Sequence, residues 1–307
     1  NTNAPITANI AVIPKIVSGS LTCTGPTSNF SITVNPIPTV DPILPLTFCN
    51  NGVSQVDFSS TFMNNSPNVF YNWTNSNPAI GITASGTGDI SFLATNTTNG
   101  LIQGTVQVTP IYINNAVSCT GLPQNVSITI NPTPTVDTIS NVLVCAGQNV
   151  LVDFYSTFNV PQTTYNWTST LPSMGMGASG VGSSMSFTSV NNSAASQTAT
   201  ITVNPVFSNA GVTCVGVAET FEITVNPIPV VFAVNDQVLC SNVNSAPITF
   251  ASNVQNAQFN WTNNNTNIGL PSNGIGFIPS FVATNYDTIQ QNALINVSVL
   301  HTSNGLT

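Results

Sequence analysis

The six cysteines are the residues whose chemistry the sequence specifies most clearly. They fall in two series that each step by 95 or 96 residues: Cys23, Cys119 and Cys214, and then Cys49, Cys145 and Cys240. Evenly placed cysteines in a chain this poor in charge favour disulfides, and therefore an oxidising, extracellular setting. No Cys-x-x-Cys spacing occurs and His301 is the only histidine of the sequence, so the sequence predicts no metal centre.

Three cysteine pairings are compatible with the sequence. Pairing within a repeat joins Cys49 to Cys119 and Cys145 to Cys214. Pairing of adjacent cysteines joins Cys23 to Cys49, Cys119 to Cys145 and Cys214 to Cys240. With strands of about six residues, Cys49 and Cys119 at opposite ends of one repeat would lie roughly 20 Å apart, whereas bonded cysteines have Cα atoms within about 7 Å. A third pairing, Cys49 with Cys214, would connect neighbouring repeats, and the three remain open at this stage.

The composition excludes several classes of function. The chain has one basic residue, Lys15, nine acidic residues and a net charge of −8, so it has no basic surface for nucleic acid or for an anionic membrane. No stretch approaches the roughly 20 apolar residues that span a bilayer. No histidine or acid pair recurs to activate a serine or threonine, so we predict that the chain is not an enzyme and uses no cofactor.

Three kinds of landmark recur with one period of about 95 residues. The motif Tyr-Asn-Trp-Thr around Trp73 returns at Trp167, and Phe-Asn-Trp-Thr follows at Trp261, each 94 residues further on. An Asn-Pro-x-Pro element occurs at residues 35–38, 131–134 and 226–229, and the cysteines have the same period. The positions of these landmarks predict the C-terminal part of a repeat at residues 1–38, complete repeats at 39–134 and 135–229, and a repeat without its last strand at 230–307. The chain is therefore expected to begin and end inside repeats.

Within a repeat the apolar pattern is that of β-strands. Phe30, Ile32 and Val34 alternate with polar residues just before an Asn-Pro-x-Pro element, and the other repeats share this pattern. Several short strands around one tryptophan predict an all-β fold of tandem immunoglobulin-like sandwiches. The three tryptophans are then core anchors rather than a sugar-stacking ladder. The prolines restrict the backbone between repeats, which predicts stiff linkers and a rod.

Several motifs together resemble a known class of repeat. They are Val-Cys-Ala-Gly-Gln at 144–148, Tyr-Asn-Trp-Thr, Ile-Gly-Ile-Thr-Ala-Ser-Gly-Thr-Gly at 80–88, Ser-Cys-Thr-Gly at 118–121, and Ile-Thr-Ile-Asn-Pro-Thr-Pro-Thr-Val at 128–136. The class is the PKD-like or Ig-like repeat of giant cell-surface adhesins of Bacteroidota, of the gliding-motility type. The resemblance covers essentially the whole chain. It implies a β-sandwich spacer or stalk, exported by the type IX route and O-glycosylated at Asp-Ser/Thr-aliphatic sites, which Thr138 and Thr288 match.

The leading functional hypothesis is therefore a non-catalytic stalk or filament segment of an extracellular, cell-surface adhesin or fibre. Its expected partners are neighbouring repeats of the same chain and, in a fibre, identical chains, with glycans as candidate ligands. An uncharged surface lacks long-range repulsion, which favours side-by-side association. The alternative is a carbohydrate- or ice-binding module that uses the repeated Thr and Asn surface.

Overall fold

Every regular element of the described residues 2–301 is a β-strand or a single 3₁₀ turn in this computed structural model. Residue 1 and residues 302–307, the outermost parts of the first and last predicted repeats, lie outside the described residues. The strands up to residue 131 are β1 Ile6–Val12, β2 Lys15–Ser18, β3 Leu21–Thr24, β4 Ser28–Val34, β5 Leu46–Cys49, β6 Val53–Val56, β7 Val69–Asn75, β8 Ser85–Thr87, β9 Ile90–Leu93, β10 Ile102–Asn114, β11 Val117–Thr120 and β12 Gln124–Asn131.

The remaining strands repeat the same series. They are β13 Val142–Cys145, β14 Asn149–Asp153, β15 Thr164–Ser169, β16 Ser179–Val181, β17 Ser184–Thr188, β18 Gln197–Asn209, β19 Val212–Val215, β20 Glu219–Asn226, β21 Gln258–Asn263, β22 Asn273–Ile275 and β23 Ile295–Leu300. The 3₁₀ turns are Thr61–Met63, Pro78–Ile80, Pro172–Met174 and Thr266–Ile268. The prediction of an all-β fold is confirmed.

The first compact unit takes in the described residues up to Thr135, together with Phe158–Thr163 and Val206–Gly216. Its main sheet has the order β5-β12-β10-β7-β8, with β11 also paired to β10, and β6 and β9 form a second sheet. Strand β5 runs parallel to β12, and the other pairs are antiparallel. Val56 and Phe92 from the small sheet share one buried cluster with Trp73 and Val108 from the large one, which makes this a two-layer sandwich.

The second compact unit takes in Val136–Thr157, Thr164–Pro205 and the described residues from Val217 onwards. Its main sheet has the order β13-β20-β18-β15-β16, and β14 pairs with β17 in a second sheet. One buried cluster again joins the two sheets. A separate three-stranded sheet, β22-β21-β23, lies further along the chain around a small core of Trp261, Leu270 and Ile278.

Strand burial follows the period-2 pattern of the sequence. In β10, Val106 and Val108 are buried while Thr105 and Gln107 are exposed, because successive side chains point to opposite faces of a sheet. Two strands are nevertheless longer than we predicted from the sequence. We expected strands of about six residues, but β10 and β18 have 13 residues each and extend into hairpins with β11 and β19.

Each of the three tryptophans packs against a glycine of the neighbouring strand. A Cβ atom added at Gly86 or Gly180 would collide with the ring of Trp73 or Trp167, and Gly274 has the same relation to Trp261. The Trp73 Nε1–H also donates a hydrogen bond of 3.0 Å to the Gly88 carbonyl oxygen. As sequence patterns, the Gly-x-Gly motifs at residues 86–88, 180–182 and 274–276 predict turns. In each motif, however, the first glycine lies within a strand and makes room for the indole.

A buried asparagine connects a loop to the last strand in each of the two repeats that the sequence predicts to be complete. Asn191 Nδ2 donates to the Val225 and Ala195 carbonyl oxygens at 2.7 and 2.9 Å, and its Oδ1 accepts from the Ser193 N–H at 2.9 Å. Asn96 makes the same set of bonds in the second repeat. Hydrogen bonds of side-chain amides thus connect loops to strands in this chain, which has few charged residues to form ion pairs.

Replacing Asn191 with alanine should lower the free energy of unfolding by about 1–3 kcal/mol, because the carbonyl group of the buried Val225 and that of Ala195 lose their donor. Asn192→Ala is the matched control, since Asn192 is exposed and adjacent. We expect the control to stay within about 0.5 kcal/mol of the parent protein in denaturant unfolding. Equal losses in the two variants would show that the hydrogen bonds of Asn191 do not stabilise this loop.

Candidate functional site

Cys49 and Cys214 form a disulfide within the first compact unit. Their Cα atoms are 5.6 Å apart and 165 residues separate them in sequence. Of the three pairings that the sequence left open, this is the third, and it joins the predicted repeats 39–134 and 135–229.

The disulfide is positioned by two strands that belong to different predicted repeats. Cys49 is the last residue of β5, where it pairs in parallel register with Asn131 of β12. Cys214 lies in β19, opposite Phe207 of β18, near the tip of the hairpin that these two strands form. Because β18 is 13 residues long, it carries this hairpin beyond its own sandwich core and brings Cys214 to the end of β5.

Hydrogen bonds between amide side chains surround the disulfide. Asn209 Nδ2, at the end of β18, donates to Asn131 Oδ1 at 3.0 Å. Asn50 Nδ2 donates to Thr133 Oγ1 at 2.9 Å, inside the second Asn-Pro-x-Pro element. Asn131 is fully buried, and its own Nδ2 has no hydrogen-bond partner among the described residues. We call this arrangement of Cys49, Cys214, Asn131 and Asn209 the junction.

The role of the asparagine in the first two Asn-Pro-x-Pro elements was not predicted from the sequence. We assigned the motif to linkers because of its prolines, but its asparagine also accepts a hydrogen bond from a hairpin of the next repeat. The same bond occurs one repeat earlier, where Asn114 Nδ2 donates to Asn35 Oδ1 at 2.8 Å. The recurrence of Asn114 and Asn209, 95 residues apart, was the available signal.

The other four cysteines are free thiols in this structure. Cys23 and Cys240 are exposed, and Cys119 and Cys145 are half-buried. Cys119 occupies the position of Cys214, since it pairs with Tyr112 across the β10–β11 hairpin as Cys214 pairs with Phe207. Cys145 occupies the position of Cys49, since it pairs with Asn226 as Cys49 pairs with Asn131.

The remaining candidate residues lie apart from the junction cysteines. Trp73, Trp167 and Trp261 are buried in three separate cores. The candidate O-glycosylation residues, Thr138 and Thr288, are exposed, and their modification remains a prediction. Within residues 2–301, no three His, Cys, Asp or Glu side chains come together in a way that could hold a metal ion.

Ionisable groups with a shifted pKa also lie outside the junction. A hydrogen bond from Ser59, supported by two from Thr61, lowers the pKa of the Asp41 carboxyl despite some desolvation. Burial raises the pKa of Tyr71, and the carboxylates of Asp41 and Asp89 raise it further. Burial and the Asp137 carboxylate do the same for Tyr165. The junction itself is built from neutral amides, hydroxyls and a disulfide.

No family model matches the chain, and no curated protein matches it either. Solved structures do match in fold. One is Dpr2 Ig1-Ig2 in complex with DIP-Theta Ig1-Ig3, with 14% identity, 86% of this chain and 98% of that chain covered, and a TM-score of 0.38. Another is Sidekick-1 immunoglobulin domains 1-4, with 10% identity, 98% and 94% covered, and a TM-score of 0.30. A third is the N-terminal eight Ig domains of Down Syndrome Cell Adhesion Molecule, with 8% identity, 98% and 52% covered, and a TM-score of 0.34.

The chain is an all-β protein of tandem immunoglobulin-like sandwiches. Its own sheets and cores carry this assignment, and the matched structures are similar to it in fold alone. Across residues 2–301, the structure contains no helix with the length and apolarity that a membrane crossing requires.

Proposed function

We propose that this chain is a non-catalytic structural segment, a stalk or filament, of a large extracellular surface adhesin or fibre. The observation that carries the proposal is the Cys49–Cys214 disulfide, which covalently joins a strand of one predicted repeat to a hairpin of the next. A bond in this position resists separation of successive repeats under tension. A structural disulfide is also typical of an oxidising, extracellular setting.

The chemistry of the surface fits a spacer. Neutral asparagine, threonine and serine side chains form most of the side-chain hydrogen bonds, and only ten residues of 307 carry a formal charge. The repeat class that we propose is the PKD-like type of Bacteroidota adhesins, which the recurring motifs resemble. Neighbouring repeats are the proposed partners, identical chains are partners if rods associate laterally, and Thr138 and Thr288 are proposed carriers of glycans.

The first test of the proposal is the intact mass of the native protein with and without reductant. We expect a covalent species far heavier than 32.0 kDa that persists under reduction, because a stalk needs many repeats in one polypeptide. A discrete native species near 32 kDa would contradict the proposal. A clear signal in a glycan array or a thermal-hysteresis assay would instead support the carbohydrate- or ice-binding alternative.

A further inference from the structure

The second Asn-Pro-x-Pro element contains an asparagine whose amide nitrogen has no hydrogen-bond partner. Within residues 2–301, the buried side-chain nitrogen atoms without a partner are Asn131 Nδ2, Trp261 Nε1 and His301 Nδ1. Asn131 is fully buried. A buried amide N–H without an acceptor raises the free energy of the folded state. No hydrogen bond of its own therefore restrains this nitrogen in the core of the junction.

Both carbonyl groups of Asn131 are polarised by donors from other parts of the first compact unit. The Asn50 N–H donates a hydrogen bond of 3.1 Å to the backbone carbonyl oxygen of Asn131. Such a donor stabilises the negative charge that develops on the oxygen when a nucleophile adds to the carbonyl carbon. Asn209 Nδ2 donates to the side-chain Oδ1 at 3.0 Å. A donor at Oδ1 favours the imidate form of the side chain, in which the nitrogen has lost a proton and is nucleophilic.

Pro132 decides which intramolecular reaction is open to Asn131. In most sequences the N–H of the following residue attacks the asparagine side chain, and the result is deamidation. Pro132 has no N–H and cannot make this attack. The opposite attack, by Nδ2 on the backbone carbonyl carbon of the same residue, closes a succinimide ring. Its two reacting groups are held in one residue, which removes the entropic cost of bringing them together.

We propose that the chain cleaves its own Asn131–Pro132 peptide bond. Asn131 Nδ2 forms a bond to the backbone carbonyl carbon of Asn131, and the bond from that carbon to the Pro132 nitrogen breaks. One proton of the side-chain amide passes to the Pro132 nitrogen, which becomes a free N-terminus. The other product ends in a succinimide at residue 131, which water later opens. The step needs no oxidant, reductant or metal ion.

The reaction is slow because the junction contains no acid or base to move the proton. Its side chains are neutral amides, a hydroxyl and a disulfide, and a positioned general base typically contributes about 10²–10⁴-fold. We therefore expect cleavage over days rather than minutes, so that freshly prepared protein is intact. The fragments 1–131 and 132–307 stay joined afterwards, because Cys49 lies in the first and Cys214 in the second.

The other two Asn-Pro bonds are internal controls within the same chain. Asn35 is half-buried. Asn226 is buried, its backbone carbonyl oxygen accepts from the Ala146 N–H at 2.9 Å, and its Oδ1 accepts from the Ser196 hydroxyl at 2.7 Å. Asn226 thus shares the polarised carbonyl groups of Asn131, but its nitrogen is not one of the buried atoms without a partner. Comparison of the two bonds isolates the effect of the unpartnered Nδ2.

The intact mass of the full chain during storage at neutral pH tests the proposal. Samples are taken over several weeks and measured with and without reductant. We expect one joined species without reductant, and fragments 1–131 and 132–307 with it. A first fragment lighter by one water molecule than the product of hydrolysis identifies the succinimide, which a protease does not form. Cleavage after Asn131 should exceed cleavage after Asn35 or Asn226 by about tenfold or more.

Unfolding of the chain gives a control that needs no substitution. In denaturant with reductant the bonds from Asn50 and Asn209 are lost, so cleavage after Asn131 should fall to the level of the other two Asn-Pro bonds. In the native chain Asn131→Ala should abolish the fragments, and Asn226→Ala should leave them unchanged. Absence of cleavage over weeks, equal cleavage at the three bonds, or undiminished cleavage in denaturant would overturn the proposal. The mass measurement for the stalk proposal uses fresh protein, so the two proposals can fail separately.

Discussion

Pulling the oxidised chain by its two ends should release roughly 540–590 Å less contour length than pulling the reduced chain, since each extended residue spans about 3.3–3.6 Å. The Cys49–Cys214 disulfide keeps 165 residues out of the extensible path. Force spectroscopy with end-attached handles, with and without reductant, measures this difference directly. A shorter contour length in the oxidised chain is the result that the proposed stalk function predicts.

Matched variants separate the disulfide from other effects of the reductant. The Cys49→Ser, Cys214→Ser double variant should give the long contour without any reductant. A Cys23→Ser, Cys240→Ser double variant removes two exposed free thiols and should keep the short contour of the oxidised parent. The same contour length for the parent protein under both conditions would contradict a disulfide that carries the tension.

The double variant at the junction should also be less stable. The chain-entropy account of a loop of 165 residues gives about 5 kcal/mol of stabilisation from the disulfide. Denaturant unfolding of the oxidised parent and of the variant measures the loss. We expect the loss in the transition that reports on the first compact unit, because both cysteines belong to it.

The second large effect is expected at Trp73. Replacement with alanine should lower the free energy of unfolding by about 3–5 kcal/mol, as is usual for truncation of a large buried aromatic residue. The indole is buried against Gly86, and its Nε1–H bonds to the Gly88 carbonyl oxygen. Circular dichroism during denaturant unfolding is the suitable measurement, because it does not depend on the fluorescence of the missing tryptophan.

Phe70→Ala is the matched control for Trp73. Phe70 belongs to the same strand, β7, but its side chain is 50% exposed, so its truncation should cost less than about 1 kcal/mol. Loss of glycan binding in Trp73→Ala without loss of stability would contradict the core-anchor interpretation and favour a sugar-binding surface.

The sequence predicted the parts of the fold that depend on periodic patterns. Alternation at Val106 and Val108 and the spacing of the tryptophans both reflect local backbone geometry, so they are visible in a single chain. The cysteine partner was not predictable in the same way. The pairing depends on the 13-residue length of β18, because the end of this long strand carries the hairpin with Cys214 to Cys49. The point at which such a strand ends is determined by tertiary contacts, which a local sequence pattern does not show.

The hydrogen-bonding asparagines were missed for a related reason. Asn131 and Asn191 are buried and bond to partners 78 and 34 residues away in sequence, and no local pattern distinguishes them from the many exposed asparagines. Gly86 was misassigned to a turn because its motif also contains Gly88, which has a positive φ of 69°. Only the position of the Trp73 ring shows that the first glycine provides space rather than conformational freedom.

The long span of the disulfide gives the chain a property of a closed ring. The backbone from Cys49 to Cys214 and the disulfide between these two residues together form a closed covalent ring. A protease that cuts once within this loop opens the ring but leaves the two fragments on one molecule, and the cut chain still transmits force through the sulfur atoms. Severing the molecule there requires a second event, the reduction of the bond.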